Sequence, residues 1–204
     1  TKEDGEGALF GTIGAEGVVS NLTSAGEISG GLGGPKGTTK LGHVGGFVGR
    51  LYGKLVNVTN TGKVKGIATY NAGVAGFVQQ GAVLDGVKNY GEITSSAAYV
   101  AGVAAYVYED AEFNKCVNYG NISSSVAAGY AAGIAATALP SKFVECVNEG
   151  QISSGSSAGI VANCSGKSGG LIYTFDRCQN NGEVTGNGIL GGITAVQGAT
   201  AGNN

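Results

Sequence analysis

The chain has 204 residues, a net charge of −2 and 40 glycines, but only 2 prolines. Hydrophobic residues make up 42% of it and charged residues 13%, which excludes the polar, charge-rich composition of disordered chains. Its 12 basic residues are scattered, so nothing predicts nucleic-acid binding, and no apolar run reaches the ~20 residues that span a bilayer. A fold rich in strands and turns is expected.

Two short phrases alternate along the chain, and the first to appear is apolar and rich in glycine and alanine. This apolar phrase begins with GALFGTI at residues 7–13 and returns six times. In chain order the later copies are GGFVGRL (45–51), AGVAGFV (72–78), AGVAAYV (101–107), AGIAATA (132–138), AGIVANC (158–164) and GGITAVQ (191–197).

The second phrase is centred on a glycine, and we call it the glycine phrase. Its repeat glycines are Gly26, Gly62, Gly91, Gly120, Gly150 and Gly182. Two residues earlier stand Ser24, Asn60, Asn89, Asn118, Asn148 and Asn180; four residues earlier stand Leu22, Val58, Val87, Cys116, Cys146 and Cys178. Successive repeat glycines are 29 to 36 residues apart, so each interval is one structural repeat.

Apolar residues recur with a period of two in both phrases and are interrupted by Gly, Asn and Ser, which is typical of short strands and turns. About 30 residues cannot bury such a face alone, whereas stacked copies can. The sequence predicts one domain over residues 1–204: an all-β parallel β-solenoid of about six coils of 27–36 residues plus a partial seventh. Two or three strands per coil are expected. Residues 29–43 and 165–173 are predicted loops, and the only histidine, His43, falls in the first.

Three copies of the apolar phrase, VGGFVG (44–49), AGVAGFV and ILGGITA (189–195), resemble the GLUG-type repeat of bacterial surface proteins. The N-x-G-x-I pattern of the glycine phrase is similar to repeats of large secreted and cell-surface proteins of gut and oral bacteria. The resemblance covers nearly the whole chain and implies an extracellular, non-catalytic stalk or spacer. AGVAAY, AGIAAT and AGIVAN depart from the motif, because alanine replaces its second glycine.

The four cysteines replace aliphatic residues in the repeat columns. Cys116, Cys146 and Cys178 share a column with leucine and valine, and Cys164 shares one with Ile13, Leu51 and Val78. In chain order they are 30, 18 and 14 residues apart, without the close C-x2-C pairs of a zinc site, so no metal or cofactor is predicted. Stacked strands lie only ~4.8 Å apart, which brings the thiols of neighbouring coils within reach of one another. Buried free thiols are expected, with one disulfide as the alternative.

The asparagine column is expected to be structural. An asparagine at a turn satisfies neighbouring backbone groups and can pair with the asparagine of the next coil. We expect Asn60, Asn89, Asn118, Asn148 and Asn180 to do both, and the repeat glycine two residues later to adopt positive φ.

Residues suited to catalysis are sparse. The position after the repeat glycine holds Glu27, Lys63, Glu92, Asn121, Gln151 and Glu183, a mixed column typical of a solvated face. The acidic EDAE at 109–112 lacks the alternating ligands of a calcium loop, and one histidine does not make a Ser–His–Asp set. A β-helix enzyme that cleaves polysaccharide therefore stays a third hypothesis.

Aromatic residues recur at fixed places in the repeats. The set comprises Tyr70, Tyr99 and Tyr130 before the apolar phrase, Tyr90 and Tyr119 before repeat glycines, and Phe77 and Tyr106 within the apolar phrase. Stacking of these rings is expected to stabilise the solenoid. The alternative is a strip that binds sugar rings, since flat amphipathic side chains suit carbohydrate.

In a solvated strand, outward-facing polar residues alternate with inward-facing apolar ones. The apolar phrase lacks this alternation, because the columns that contain Val48 and Phe77, which are expected to face outward, are also largely apolar. We therefore expect a neighbouring solenoid or another segment of a longer chain to cover this face. Neither end of the chain shows a polar cap, which predicts end-to-end association or adjoining domains.

These observations predict a non-catalytic structural protein at the bacterial cell surface or secreted from it. It would be a stalk, an adhesin segment or a self-assembling filament subunit, and the alternative is a carbohydrate-binding module that uses the aromatic strip. An ice-binding face would need a regular Thr-x-Thr array, which the repeats lack.

Overall fold

The computed structural model describes residues 7–30, 42–96, 98–127, 129–166 and 171–197. Within these ranges it contains 31 short β-strands and no helix, and therefore no helix that could cross a membrane. Most of the predicted loop 29–43 and part of the predicted loop 165–173 lie outside the described residues. His43, expected in the first loop, instead begins a strand.

Each of the six coils contributes five strands. The first coil contains β1 (Phe10–Ile13), β2 (Val18–Ser20), β3 (Thr23–Ser24), β4 (Glu27–Gly30) and β5 (His43–Gly45). The second contains β6 (Val48–Leu51), β7 (Lys54–Val56), β8 (Thr59–Asn60), β9 (Lys63–Gly66) and β10 (Tyr70–Ala72). The third contains β11 (Ala75–Val78), β12 (Val83–Asp85), β13 (Lys88–Asn89), β14 (Ile93–Ser95) and β15 (Tyr99–Ala101).

The later coils repeat this order. The fourth contains β16 (Ala104–Val107), β17 (Glu112–Asn114), β18 (Val117–Asn118), β19 (Ile122–Ser124) and β20 (Tyr130–Ala132). The fifth contains β21 (Ala135–Ala138), β22 (Lys142–Val144), β23 (Val147–Asn148), β24 (Ile152–Ser154) and β25 (Ser156–Ala158). The sixth contains β26 (Val161–Cys164), β27 (Thr174–Asp176), β28 (Gln179–Asn180), β29 (Val184–Gly186) and β30 (Leu190–Gly191), and β31 (Thr194–Gln197) follows it.

Equivalent strands of successive coils pair in parallel and form five sheets, which we number 1 to 5 after the strands of the first coil. Sheet 1 has seven strands, and sheets 2 to 5 have six each. The columns read from the sequence are the register of these sheets: Leu84, for example, lies between Leu55 and Phe113. The predicted all-β parallel β-solenoid is confirmed.

The expectation of two or three strands per coil is wrong, because turns divide both phrases. In the apolar phrase, Gly73 and Val74 separate β10 from β11. In the glycine phrase, Asn57 at φ 51° separates β7 from β8. Each phrase therefore contributes strands to more than one sheet.

The larger of two interior cores lies between sheets 1 and 2. It contains Leu84, Phe113 and Phe143 of sheet 2, together with Phe47 and Val48 where the chain enters sheet 1, all fully buried. The rings of Phe113 and Phe143 stack across coils with centroids 4.9 Å apart. Burial of such side chains stabilises each by about 1.5–3 kcal/mol relative to exposure.

The smaller core lies between sheets 4 and 5 and includes Ile93, Ile122 and Val100. Because side chains alternate along a strand, Tyr99 points away from this core, on the opposite face of sheet 5 from Val100. On that side, Tyr70 and Tyr99 pack with Phe77, Tyr106 and Ala105 of sheet 1 in a cluster separate from both cores. We call it the corner cluster.

This corner explains why the apolar phrase is apolar at both alternating positions. The expectation that the column of Val48, Ala75 and Ala104 faces outward is wrong, because these residues lie in the larger core. Each follows the turn from sheet 5 to sheet 1, where two consecutive residues face the interior. The column of Phe77 does lie outside the larger core, in the corner cluster, where the chain's own aromatic rings cover one another.

Candidate functional surfaces

The asparagine column forms a hydrogen-bonded ladder on the inner side of sheet 3. The Nδ2 atom of each asparagine donates to Oδ1 of the asparagine in the next coil at 2.8 Å, in the order Asn60, Asn89, Asn118, Asn148, Asn180. Nδ2 also donates to the carbonyl oxygen of the repeat glycine two residues later, at 2.8–3.0 Å. Ser24 begins the ladder by donating to Asn60. These amides are thus engaged in holding coils together.

The ladder requires glycine on two sides. A Cβ atom on Gly73, in the turn from sheet 5 to sheet 1, would lie against Oδ1 of Asn89. A Cβ atom on Gly91 would lie against the carbonyl oxygen of Gly62 one coil below. The expectation that repeat glycines need positive φ is wrong, since only Gly26 among them has it, at 99°. Close approach of stacked backbones is the reason for the others.

A different column has a positive φ angle in every coil. It lies between sheets 2 and 3 and comprises Asn21, Asn57, Gly86, Lys115, Glu145 and Arg177, with φ between 50° and 64°. Sequence reasoning missed this column. Its first three residues, two asparagines and a glycine, are the types that favour this conformation and could have revealed it.

The cysteines are free thiols directed into the protein. Cys116, Cys146 and Cys164 are buried and Cys178 is half-buried. Hydrogen bonding to Cys116, with burial adding to it, raises the pKa of Cys146 well above its ordinary value, and hydrogen bonding to Cys146 does the same for Cys178. Burial raises the pKa of Cys164 to about 12. Thiols that resist ionisation are poor nucleophiles and poor metal ligands.

The corner cluster contains most of the predicted aromatic residues. His43, Tyr70, Tyr99 and Tyr130 stack in successive coils with centroids 5.4, 5.0 and 5.8 Å apart. Phe77 and Tyr106 form a parallel stack at 4.9 Å, and both meet Tyr70 edge-on. Burial, and to a smaller extent the neighbouring tyrosines, raises the pKa of Tyr70 to about 12. Tyr108, which the sequence did not single out, borders the cluster.

Tyr90 and Tyr119 lie apart from this cluster, beside sheet 3. Their rings stack at 4.5 Å with an interplanar angle of 9°, and the residues remain 49% and 42% exposed. Each ring therefore covers one face of the other. A sugar platform needs an open ring face. Stacking along the solenoid axis therefore occupies one face of each ring in this pair.

Charged residues on the outer surface pair locally. Lys63 contacts Glu92 at 3.1 Å, Lys65 contacts Glu27 at 3.0 Å and Lys142 contacts Glu112 at 2.8 Å. Exposed pairs of this kind are screened by solvent and contribute little to stability. Among the described residues, no three His, Cys, Asp or Glu side chains lie close enough to hold a metal ion.

Two shallow grooves follow the outside of sheet 4 and its turn into sheet 5. Hydroxyl and amide side chains line them, including Asn121, Gln151, Ser153 and Thr185, with Glu92 and Glu183 at the first groove. The Ser/Thr column at Thr94, Ser123, Ser153 and Thr185 was not predicted, although its period is visible in the sequence.

The chain matches no protein-family model, no curated protein and no solved structure.

Proposed function

We propose that this chain is a non-catalytic structural module, a rigid β-solenoid spacer of a secreted or cell-surface protein of the kind that carries GLUG-type repeats. The observation that carries the proposal is the asparagine ladder, which links the second coil to the sixth without interruption. A continuous buried ladder favours constant coil spacing, and constant spacing is what a stalk requires.

The charged and nucleophilic groups support the same proposal. Cys146, Cys164 and Cys178 have raised pKa values, the amides of the ladder bond to each other, and Glu92 and Glu112 pair with lysines. These groups maintain the scaffold, whereas catalysis needs perturbed groups that converge in an accessible cleft.

A direct test is a screen of the purified chain against neutral and acidic polysaccharides, with binding and release of new sugar ends measured in parallel. We expect neither saturable binding nor cleavage. Binding that is lost in a Tyr90→Ala/Tyr119→Ala variant would replace the proposal with the carbohydrate-binding alternative. Cleavage of any polysaccharide would replace it with the enzyme.

The location needs its own experiment. Antibodies raised against the purified chain should label intact cells of the source organism or its culture medium. Labelling that appears only after the cells are permeabilised would contradict an extracellular role.

A further inference from the structure

The Tyr90–Tyr119 pair is the most exposed of the parallel tyrosine stacks. The two residues occupy the same place in consecutive coils, next to the paired strands β13 and β18. Their centroids are 4.5 Å apart and their planes differ by 9°. Corresponding ring carbons therefore face one another at about the centroid separation, and the exposed edges are open to a reagent.

The other stacked tyrosines differ in both respects. Tyr70 and Tyr99 are 5.0 Å apart with an angle of 26°, and Tyr70 is only 8% exposed. Tyr99 and Tyr130 are 5.8 Å apart. Among the residues that the structure describes, this is thus the one close, parallel and accessible tyrosine pair, and the less favourable pairs serve as internal comparisons.

We propose that Tyr90 and Tyr119 are a modification site at which oxidation joins the two rings into dityrosine, a covalent link between the third and fourth coils. The oxidant is hydrogen peroxide acting through a haem peroxidase. Each phenol gives up one electron and its hydroxyl proton, and the two phenoxyl radicals form a carbon–carbon bond between positions ortho to the oxygens. The two ortho hydrogens then move to the oxygens. Two tyrosines and one peroxide give one dityrosine and two water molecules.

The fold favours this pair because the stacked coils hold both reactants in place before oxidation. Reactions between groups held in contact are faster than the same reactions between separate molecules by large factors. The link would close a 29-residue loop, which restricts the unfolded chain and should raise the melting temperature.

The experiment treats the purified chain with peroxidase and an equimolar amount of hydrogen peroxide. We expect a product of monomeric size on a denaturing gel, two hydrogen masses lighter, with dityrosine fluorescence. Cleavage after lysine releases residues 89–115 and 116–142 as separate peptides from untreated protein. After oxidation these peptides should be joined, and fragmentation should place the link at Tyr90 and Tyr119.

Matched variants separate this pair from its neighbours. Tyr90→Phe and Tyr119→Phe keep the stacked rings and should lower the yield of the intramolecular link at least tenfold. Tyr99→Phe and Tyr130→Phe alter tyrosines in the same two peptides and should leave the yield unchanged. A link at Tyr99 or Tyr130, a product consisting mainly of covalent dimers, or no loss of hydrogen in the parent chain would overturn the proposal.

Discussion

Individual side chains in this solenoid are constrained mainly by the neighbours one coil above and one coil below. Asn118 is fully buried, donates to Asn148 and Gly120, and accepts from Asn89. A buried polar group left without a partner costs about 1–3 kcal/mol. A change at one asparagine therefore reaches three coils.

Asn118→Leu should lower the free energy of unfolding by about 4 kcal/mol, because the Asn89 amide loses one of its two acceptors and the Asn148 side-chain oxygen and the Gly120 carbonyl oxygen lose the Asn118 donor. Urea unfolding measures the change. The control is Asn121→Leu at an exposed site just before β19, where only one exposed hydrogen bond, from the backbone N–H of Gln151, is lost and we expect less than about 1 kcal/mol. Equal effects at the two sites would show that the ladder does not hold the coils together.

Lys115 is exposed and has φ at 52°, a conformation that costs an L-residue about 1–2 kcal/mol. Gly86 occupies the equivalent place one coil earlier. Lys115→Gly should raise stability by about 1 kcal/mol after the extra entropy of glycine in the unfolded chain is subtracted. Lys115→Ala keeps the strained conformation and should change little. A gain with alanine equal to that with glycine would assign the effect to the lysine side chain.

Cys164 predicts a dependence of stability on alkaline pH. Burial raises its pKa from 9.0 to about 12, so the folded state retains a proton that the unfolded state loses. Its contribution is complete below pH ~9 and decreases by about 1.4 kcal/mol per pH unit between pH ~9 and ~12. Valine is found elsewhere in this column. Cys164→Val should therefore reduce the slope of stability against pH between pH ~9 and ~12 by the contribution of one proton. Unfolding curves at pH 8, 9, 10 and 11 with unchanged slopes would contradict this assignment.

The strands are only two to four residues long, and their stability comes from the stack rather than from any one strand. Stacked backbones approach so closely at the repeat glycines after Gly26 that no side chain fits between them. The five sheets therefore depend on glycine as much as on the apolar columns.

Gly91→Ala tests this close approach. The new methyl group would meet the backbone of Gly62, which cannot move aside as a flexible side chain would, so we expect a loss of about 3 kcal/mol. Gly14→Ala is the control, since nothing lies within 4 Å of a Cβ there, and it should change stability by less than about 0.5 kcal/mol. Similar values for the two variants would mean that the coils can separate at little cost.

The columns could be predicted from the sequence because a solenoid brings equivalent positions of each repeat into contact. Leu84 and Phe113, or Asn89 and Asn118, lie in register for that reason. The division into five strands could not, because the turn at Lys115, Glu145 and Arg177 uses residues that seldom adopt positive φ. The inward side of Val48 was missed because period-two reasoning fails where the chain turns from sheet 5 to sheet 1.

The candidate surfaces were only partly predictable. The sequence placed the tyrosines in columns, but it did not reveal that one group would be enclosed in the corner cluster while Tyr90 and Tyr119 would stay exposed. That difference depends on how sheets 5 and 1 meet, which is a property of the assembled coils.

The molecule as a whole is a one-dimensional stack in which each coil contacts only its neighbours. In such proteins stability is approximately a sum of repeat and interface contributions, and the number of repeats can change without loss of the fold. A spacer benefits from this property, since its length can vary while its cross-section is kept.

Deletion of residues 92–120 tests that property, because it removes one strand from every sheet, β14 to β18, and joins Gly91 to Asn121 in the same frame. The shortened chain should fold cooperatively, with Asn89 meeting Asn148 and Leu84 meeting Phe143, and its urea m-value should fall by about one sixth because less surface is exposed on unfolding. Deletion of residues 92–106 removes the strands of sheets 4, 5 and 1 but retains β17 and β18 of sheets 2 and 3, so the coils cannot align and we expect no cooperative transition. If the shorter deletion folds as well as the full-coil deletion, the stacked columns do not define the fold, and the spacer proposal loses its physical basis.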